Sequence, residues 1–344
     1  MIRVLVTGAG SGVGQGIVKA LRLADLDVCV ISGDIGPLNA ALYRTDEAII
    51  VPRVELDGAL PLFVKVIESA RVDLVLPGSE FDIAFLAAHR EYLEEATSAR
   101  IGVSNLASVQ TCNDKWQTYE KLTAHSVACP RSVIDTDPDS LRQFAEEVGF
   151  PIIAKPRSGT SARGQVVAKT MDQLLAAALV VPEAIFQEFL IGEPGGIGSE
   201  FTCAFFRSRA GVSVGPFVAR RSLRGGTSWV IEVAPFPLLH DYLCQVARSI
   251  EFEGSLNIQL IVGKEGPRTI ELNCRFSGTT AVRAHFGFNE PAMSVRDLLL
   301  GESPPIPEIG EGVVFRYVEE VFVDGARLDT VLPSDQRGTR HSWF

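Results

Sequence analysis

The stretch Leu256-Asn257-Ile258-Gln259-Leu260, followed by Thr269-Ile270-Glu271-Leu272-Asn273, decides the fold prediction for this chain. Polar and apolar residues alternate in both segments, which is typical of β-strands with one buried face. The residues between them, Gly263–Pro267, favour a tight turn. We therefore predict an antiparallel hairpin whose polar side chains share one face.

The polar side chains of this hairpin predict a metal site. Alternation places Asn257 and Gln259 on one face of their strand. It likewise places Glu271 and Asn273 on one face of the next, so four oxygen-bearing side chains converge. Mg²⁺ prefers such ligands and usually shares them with nucleotide phosphates. A solvated strand face would also alternate, but Asn, Gln and Glu are poor strand formers, which favours the metal interpretation.

A second candidate site lies upstream, where the apolar strand Pro151–Pro156 delivers Lys155 near its end. The loop Arg157–Gly164 follows at once, and it includes Ser158 and Gly159. Small residues let backbone N–H groups approach phosphate oxygens, and Lys155 can neutralise their charge. The loop lacks the Gly-Lys-Ser/Thr of a P-loop, so a surface hairpin with a solvated lysine is an equal alternative.

The segment Ile185–Gly192 is an extended run that enters a turn. Its backbone could meet an adenine edge, with Phe189 and Leu190 as apolar walls. Glu200 begins the next predicted strand and could accept ribose hydroxyls. Taken by itself, the segment favours a plain connection between domains over an adenine site.

The glycine-rich run Thr7–Gly14 follows a strand and opens a helix, which is a setting for phosphate binding. Asp34 stands after the second strand, where a ribose-binding acid is expected in a nicotinamide-dependent oxidoreductase. No tyrosine has a lysine four residues later, so the proton-transfer pair of a short-chain reductase is missing. We favour a structural glycine turn over a dinucleotide site or a site for another anion.

Composition narrows the class of protein. The 344 residues are enough for two or three domains, and the net charge of −10 argues against nucleic acid as a partner. No apolar run reaches the length of a membrane span. The six cysteines include no C-x-x-C pair, which predicts reduced thiols and a cytoplasmic protein.

Alternating strands and helices in the first third predict a doubly wound α/β layer. The predicted parallel strands are Ile2–Thr7, Val28–Ser32, Ala48–Val51, Val72–Pro77 and Ile101–Ser104.

A small α+β module follows near residues 115–190, and a strand-rich region then extends to about Asn273. We expect one helix near His240–Phe252, another near Glu290–Leu300, and a last strand at Val313–Val323. Residues Ser334–Phe344 are largely polar, which is typical of a frayed end.

Taken together, these motifs resemble the ATP-grasp superfamily. The chain is most similar to the halves of the carbamoyl-phosphate synthase large chain and to related carboxylate–amine ligases. Their order along roughly residues 1–300 is more specific than any single motif. The order is the glycine-rich first strand, Asp114-Lys115, Lys155 with its loop, Gln187-Glu188-Phe189-Leu190, Glu200, Gln259, and Glu271-Leu272-Asn273-Cys274-Arg275-Phe276-Ser277.

The resemblance implies an α/β and α+β fold, in which a Rossmann-like (pre-ATP-grasp) parallel sheet precedes a two-lobed ATP-grasp fold. The implied domains are the Rossmann-like domain at 1–112, a small lobe acting as the ATP lid at 113–190, a large lobe with the metal site at 191–330, and a tail at 331–344. In this family the first domain binds no dinucleotide but helps to shape the acceptor site.

The resemblance also implies a role for each matching residue. Lys115 and Lys155 would contact the phosphates, under the loop 158–164. The block Gln187–Leu190 would line the adenine slot, and Glu200 would hold the ribose. Gln259 and Glu271 would bind one Mg²⁺ ion, with Glu271 and Asn273 shared with a second, and Arg275 would stabilise the transferred phosphoryl group and the acyl phosphate.

Three features depart from the family pattern. Thr160, Ala162 and Arg163 make the phosphate loop bulkier than usual, and Cys274 stands where proline is common. An apparent insertion at 193–199 makes Glu193 an alternative to Glu200 for the ribose.

Several residues are candidates for the substrate site. Arg221, Gly226 and Thr227 belong to a basic turn, and a surface hairpin explains that turn equally well. Ser277 and Arg283 follow the predicted metal ligands. Glu80 follows a parallel strand at the edge where α/β sheets bind ligands, and it could receive an amine.

The sequence therefore predicts an ATP-dependent carboxylate–amine, or carboxylate–ammonia, ligase that forms an acyl phosphate. ATP and Mg²⁺, with Mn²⁺ as a substitute, are the expected cofactors, and a small carboxylate and an amine are the expected partners. Nucleic acid and membranes are not expected, and a homodimer is one open option. The alternatives are the nicotinamide oxidoreductase, a kinase-like grasp enzyme and a non-catalytic ATP sensor.

Overall fold

A computed structural model describes residues 1–159, 164–192, 197–323 and 327. Its first sheet is parallel and has five strands in the order β3-β2-β1-β4-β5. This order confirms the predicted Rossmann-like layer, since the chain turns back at the first strand and continues on its other side. The strands are β1 (Ile2–Thr7), β2 (Val28–Asp34), β3 (Glu47–Ile50), β4 (Leu74–Pro77) and β5 (Arg100–Ile101).

Three helices flank this sheet: α1 (Gly12–Arg22), α2 (Ala59–Ser69) and α3 (Glu80–Ala96). The Ser11 side chain caps α1 by accepting a hydrogen bond from the Gly14 N–H, and Ser79 caps α3. Both faces of the sheet are buried, as expected for β-branched parallel strands.

Two further helices, α4 (Leu106–Asn113) and α5 (Lys115–Ala124), connect the first sheet to the rest of the chain. Their apolar residues Cys112 and Leu122 share a core with Phe201 and Leu256 of the strand-rich region. Both helices therefore pack in one core with the strand-rich region.

The small lobe is a four-stranded antiparallel sheet in the order β6-β9-β7-β8. Two helices, α6 and α7, cover one of its faces around Leu141, Phe186 and Leu174. The elements are β6 (Ser132–Val133), α6 (Pro138–Val148), β7 (Ile152–Pro156), β8 (Val166–Ala168), α7 (Met171–Val180) and β9 (Ala184–Glu188).

The large lobe is a six-stranded antiparallel sheet in the order β14-β13-β10-β11-β12-β15. One face packs on α4, α5 and α8, and helices α9 and α10 follow the hairpin. The elements are β10 (Glu200–Arg207), β11 (Ser213–Arg224), β12 (Thr227–Val233), α8 (His240–Ser249), β13 (Gly254–Gly263), β14 (Gly266–Asn273), α9 (Thr280–His285), α10 (Glu290–Val295) and β15 (Gly312–Phe315).

Some predicted elements have different bounds in the structure. The strand predicted at Val313–Val323 ends at Phe315, since only Gly312–Phe315 pairs with β12. The helix near Glu290–Leu300 divides into α10 and a π-helical turn at Arg296–Leu300, while short 3₁₀ turns lie at Ala40–Tyr43 and Pro237–Leu239.

Some predictions fall on residues that the structure leaves undescribed. These are Thr160, Ala162 and Arg163 of the phosphate loop, Glu193, and the tail at 331–344. Among the described residues, no helix combines the length and apolarity that crossing a membrane requires.

Candidate active site

The predicted hairpin of β13 and β14 has the expected register. Asn257 lies opposite Asn273, and Gln259 lies opposite Glu271. Gln259 and Glu271 are half-buried, and the Asn273 side-chain amide donates a 2.9 Å hydrogen bond to Glu271 Oε1. One carboxylate and two amides therefore lie side by side on a single sheet face.

The side-chain oxygen of Asn257 is already bound by a buried arginine, Arg283. Asn257 Oδ1 accepts hydrogen bonds from Arg283 Nη2 at 2.5 Å and from Thr202 Oγ1 at 3.1 Å. Arg283 is fully buried and forms a 3.0 Å ion pair with Glu290, which has no exposed surface either. Asn257 therefore shares the sheet face of the other three side chains, but its Oδ1 is already bound, and Arg283 is enclosed by Thr202, Asn257 and Glu290.

Two lysines face the hairpin from other elements. Lys155 lies near the end of β7 and Lys115 at the start of α5. Burial and, to a smaller extent, the charge of Lys115 lower the pKa of Lys155 to about 8, while the charge of Glu271 opposes this shift. Burial also lowers the pKa of Lys115, against the attraction of Glu271 and Glu80. Two cations and two acids from four elements therefore influence one another electrostatically.

Lys115 also holds the start of the small-residue loop. Its Nζ donates to the carbonyls of Gly159 at 2.9 Å and Arg157 at 3.2 Å. Arg157 in turn forms a 2.5 Å ion pair with Asp114, the residue that caps α5. Ser158 and Gly159 are exposed at the base of the loop, where their backbone can approach a ligand.

Arg275 follows the hairpin and bridges to the first domain. Its Nη2 lies 2.6 Å from Glu80 Oε1, and its Nη1 donates to the Phe276 carbonyl at 2.9 Å. Its buried Nε has no hydrogen-bond partner within the described ranges. The predicted catalytic arginine and the predicted amine-binding acid are therefore in direct contact.

Glu200 and Gln259, a predicted ribose ligand and a predicted metal ligand, are joined by Arg221. Its Nη2 lies 2.6 Å from Glu200 Oε1 and 2.7 Å from Gln259 Oε1. Ser228 Oγ accepts a further hydrogen bond from Nη1 at 3.2 Å. Arg221 thus lies among the predicted nucleotide and metal ligands.

The segment predicted to line the adenine slot follows β9 and runs close to the β13–β14 hairpin. The approach is close at Gly263, where an added Cβ would lie 2.9 Å from the Ile191 carbonyl oxygen. Phe189 and Leu190 are half-buried, as an apolar wall requires. The Gln187 side chain is buried and donates to Ser132 at 2.8 Å, so it holds β6 and β9 together. Glu188 forms a 2.7 Å ion pair with Arg268.

Two family models match separate parts of the chain. The ATP-grasp domain model matches residues 112–279, and the model of a PylC-like N-terminal domain matches residues 4–100. The first match contains both lysines, Glu200, and the whole β13–β14 hairpin with Arg275.

The chain is a member of the ATP-grasp superfamily.

Two curated proteins show how far the likeness to other ATP-grasp proteins extends. Formate-dependent phosphoribosylglycinamide formyltransferase of Anaeromyxobacter dehalogenans is 23% identical over 90% of this chain and 80% of its own length. The carbamoyl phosphate synthase large chain of Pyrococcus furiosus is 19% identical over 78% of this chain, but the chain spans only 26% of that protein.

A solved structure confirms the ATP-grasp architecture. N5-carboxyaminoimidazole synthetase from Staphylococcus aureus, complexed with ADP, superposes with a TM-score of 0.72 at 16% identity. The superposition covers 92% of this chain and 82% of the other. At this identity the likeness establishes the fold alone.

The glycine-rich loop of this ATP-grasp chain is filled by its own residues. Asp34 Oδ2 accepts a 2.9 Å hydrogen bond from the Gly10 N–H, and the Asn39 side chain lies directly over Gly10. A Cβ on Gly14 would lie 2.3 Å from the Gly8 carbonyl, so glycine is required there for close packing. The geometry supports a structural turn, because Asp34, the expected ribose ligand, already binds the loop.

Three of the candidate substrate residues lie outside this cluster of contacts. Gly226 and Thr227 are exposed at the turn between β11 and β12. Ser277 is buried, and its hydroxyl accepts a hydrogen bond from the Thr279 N–H within the turn before α9. Sequence reasoning chose Gly226 and Thr227 because they belong to a basic turn, and Ser277 because it follows the predicted metal ligands.

Sequence reasoning missed the buried partners that hold the polar face. Thr202 and Glu290 both contact Arg283, at separations of 81 and 7 residues along the chain. Alternation along β10 places Thr202 on the polar face, but its contact with Arg283 depends on tertiary packing.

Proposed function

We propose that this protein is an ATP-dependent carboxylate–amine or carboxylate–ammonia ligase that acts through an acyl phosphate. The observation that carries the proposal is the hairpin register that sets Glu271 opposite Gln259, together with the electrostatic influence of Glu271 on Lys115 and Lys155. Arg275 and Glu80 belong to the same set of charges, since Glu80 acts on Lys115 and contacts Arg275. Such a set of charges suits phosphoryl transfer, which depends mainly on positioning and charge stabilisation.

The donor set on the hairpin fits Mg²⁺ or Mn²⁺. Glu271 offers a carboxylate, and Gln259 and Asn273 offer amide oxygens, all of which are hard ligands for these ions. The hydrogen bond from Asn273 to Glu271 orients the carboxylate. When bound there, the ions would offset the negative charge of the phosphates.

The remaining chemistry is assigned to the chain's own side chains. A carboxylate oxygen of the substrate attacks the γ-phosphorus of ATP, and the bond to the ADP oxygen breaks. Lys155, whose pKa is about 8, faces the transferred group and balances its charge. The amine then attacks the acyl carbon, and phosphate leaves together with its bonding electrons.

Arg275 and Glu80 suit the second half of this reaction. The guanidinium of Arg275, whose side chain is 14% exposed, can donate to an acyl phosphate oxygen. Glu80 can accept a hydrogen bond from the incoming ammonium group before that group loses its proton. Their contact of 2.6 Å places the two functions side by side.

The relatives support this class of reaction. One is named as a formate-dependent formyltransferase acting on phosphoribosylglycinamide, which pairs a carboxylate with an amine-bearing acceptor. A structural neighbour was solved with ADP. The identity of this protein's own carboxylate and amine is a matter for experiment.

The experiment that tests the proposal is one screen for ADP and phosphate release. Amino acids, dipeptides and simple carboxylates are offered with Mg²⁺ and ATP, first with hydroxylamine as a general trapping nucleophile and then with amines. We expect at least one carboxylate to yield a hydroxamate and, with its amine, an amide that mass spectrometry detects.

The other outcomes favour competing functions. A stable phosphorylated product without any amide would favour a kinase. ATP binding without turnover on any substrate would support a sensor. Reduced nicotinamide binding at Gly8–Gly14 without Mg²⁺ would overturn the ligase proposal.

A further inference from the structure

Arg221 is in direct contact with the side chains assigned to the ribose and the metal, Glu200 and Gln259. A single nitrogen, Nη2, is within 2.7 Å of the Oε1 atoms of both Glu200 and Gln259. The Nε atom adds a second, 3.2 Å contact to Glu200. The guanidinium therefore fills the space between one carboxylate oxygen and one amide oxygen.

These two oxygens are the ones that the proposed ligase needs for its ligands. Gln259 would use Oε1 as a metal ligand, because its other side-chain atom is an NH₂ donor. Glu200 would accept ribose hydroxyls through its carboxylate oxygens. While Arg221 stays bound to both, neither residue can offer its full set of acceptors to a nucleotide–metal complex.

The environment makes the bridge strong but exchangeable. The Arg221 side chain is only 10% exposed and that of Glu200 is 24% exposed. Charge-assisted hydrogen bonds in such a partly dry site are stronger than those on an open surface. A bound cation with an anionic nucleotide could nevertheless replace the guanidinium without leaving Glu200 unpaired, since the cation supplies the charge that Arg221 withdraws.

We propose that Arg221 is a placeholder cation: it holds Glu200 and Gln259 in position before the nucleotide arrives and gives up both contacts when metal and nucleotide bind together. This inference rests on the proposed function, because it uses the assigned ribose and metal ligands. Its consequence is a requirement for joint binding. A divalent ion alone competes with Arg221 for Gln259, whereas the ion with its nucleotide displaces Arg221 and places its charge near the phosphates.

The neighbouring Arg220 provides a matched control. It lies on the opposite face of β11, where its Nη2 is 2.5 Å from Glu232. Replacing Arg220 removes the same charge from the same strand but leaves the bridge of Arg221 intact. The two substitutions therefore separate release of the ligands from a general loss of positive charge.

The test is Mn²⁺ binding without nucleotide, followed by electron paramagnetic resonance, in the full-length protein. We expect Arg221→Met to tighten Mn²⁺ binding by about tenfold relative to Arg220→Met, which is the effect of removing one competing charged hydrogen bond. Adding Glu271→Ala to the Arg221→Met variant should abolish the gain and so place the ion on the hairpin. With a non-hydrolysable ATP analogue present, the difference in Mn²⁺ affinity between Arg221→Met and Arg220→Met should become smaller or change sign.

Each outcome decides the proposal. Equal Mn²⁺ affinity in the two methionine variants would overturn it, as would a gain that survives Glu271→Ala. If Arg221→Met fails to fold in a thermal melt, Arg221→Lys and Arg220→Lys replace the pair, because a lysine can hold only one of the two oxygens well. A failure of the ligase proposal can be distinguished from a failure of this inference. It would appear as a lack of product formation by the wild-type protein, independently of the Mn²⁺ affinities of the variants.

Discussion

The glycine-rich loop after β1 and the polar hairpin of β13 and β14 differ in the partners that their polar groups have in the structure. In the loop, the Gly10 N–H donates a hydrogen bond to Asp34, and the Asn39 side chain fills the space above Gly10. In the hairpin region, Gln259 and Glu200 are held by Arg221, an exchangeable side chain.

The difference lies in what a ligand would have to replace. Filling the loop would require moving Asn39 and breaking a hydrogen bond to a well-placed backbone group. Binding at the hairpin would exchange one set of charged contacts for another, which costs less because every group regains a partner. A conspicuous motif therefore indicates a binding site only when its polar groups have partners that can leave.

The largest expected effect comes from Glu271→Ala. It removes the carboxylate of the predicted metal site, so kcat for ATP turnover should fall by at least about 10³-fold while the thermal melting profile stays that of the wild type. The control is Glu232→Ala on the other face of the same sheet, which pairs with Arg220 and should retain turnover. Normal turnover by Glu271→Ala would remove the distinction between the hairpin and the loop.

Lys155→Met should have the next largest effect. Loss of the buried cation that faces Glu271 should lower kcat/KM for ATP by about 10²-fold, since charge stabilisation in a partly dry site is strong. Lys169→Met provides the control, because Lys169 is exposed in the same lobe. Similar losses for both variants in steady-state assays would mean that the effect is not specific to the candidate site.

The pH dependence of nucleotide binding sharpens the role of Lys155. Burial lowers its pKa to about 8, and an anionic phosphate would raise it again on binding. Binding should therefore be strongest below pH 8 and weaken by up to about tenfold as the pH rises to about 9, because a proton must then be taken up. Calorimetry with a non-hydrolysable ATP analogue in two buffers would measure this uptake, and the same slope in Lys155→Met would contradict the assignment.

The smallest effect on activity is expected at the glycine-rich loop. Asp34→Ala removes the acceptor of the Gly10 N–H, so the free energy of unfolding in urea should fall by about 1–3 kcal/mol. Turnover of the folded enzyme should stay within about twofold of the wild type, since the loop has a structural role. Asp27→Ala, at a side chain 81% exposed in the same domain, should change neither quantity. A large loss of ATP turnover in a stable Asp34→Ala variant would give the loop a role in binding.

Much of the fold could be predicted from periodicity. The five parallel strands and the β13–β14 hairpin lie close to their predicted positions, because alternation and β-branched runs are local signals. The last strand was predicted too long: beyond Phe315 the apolar residues Tyr317 and Val318 are exposed and lie outside the pairing with β12.

The candidate site was predictable only in part. Gln259 and Glu271 were expected on one face, and their register places them opposite each other. The partners of Arg283 were not predictable, because nothing in its neighbourhood along the chain indicates that Thr202, Asn257 and Glu290 surround it in the core.

Residue type and spacing along the chain were sufficient to predict the order of the elements, the polar face of the hairpin and the likeness to the superfamily. Which polar side chains already have hydrogen-bond partners became clear from the folded structure. Asp34 accepts a hydrogen bond from the glycine-rich loop, and Arg283 donates one to Asn257 in the core. Arg221 donates hydrogen bonds to both Glu200 and Gln259. The physical reason is that hydrogen-bond partners are chosen by proximity in space, between residues that folding brings together from distant parts of the chain.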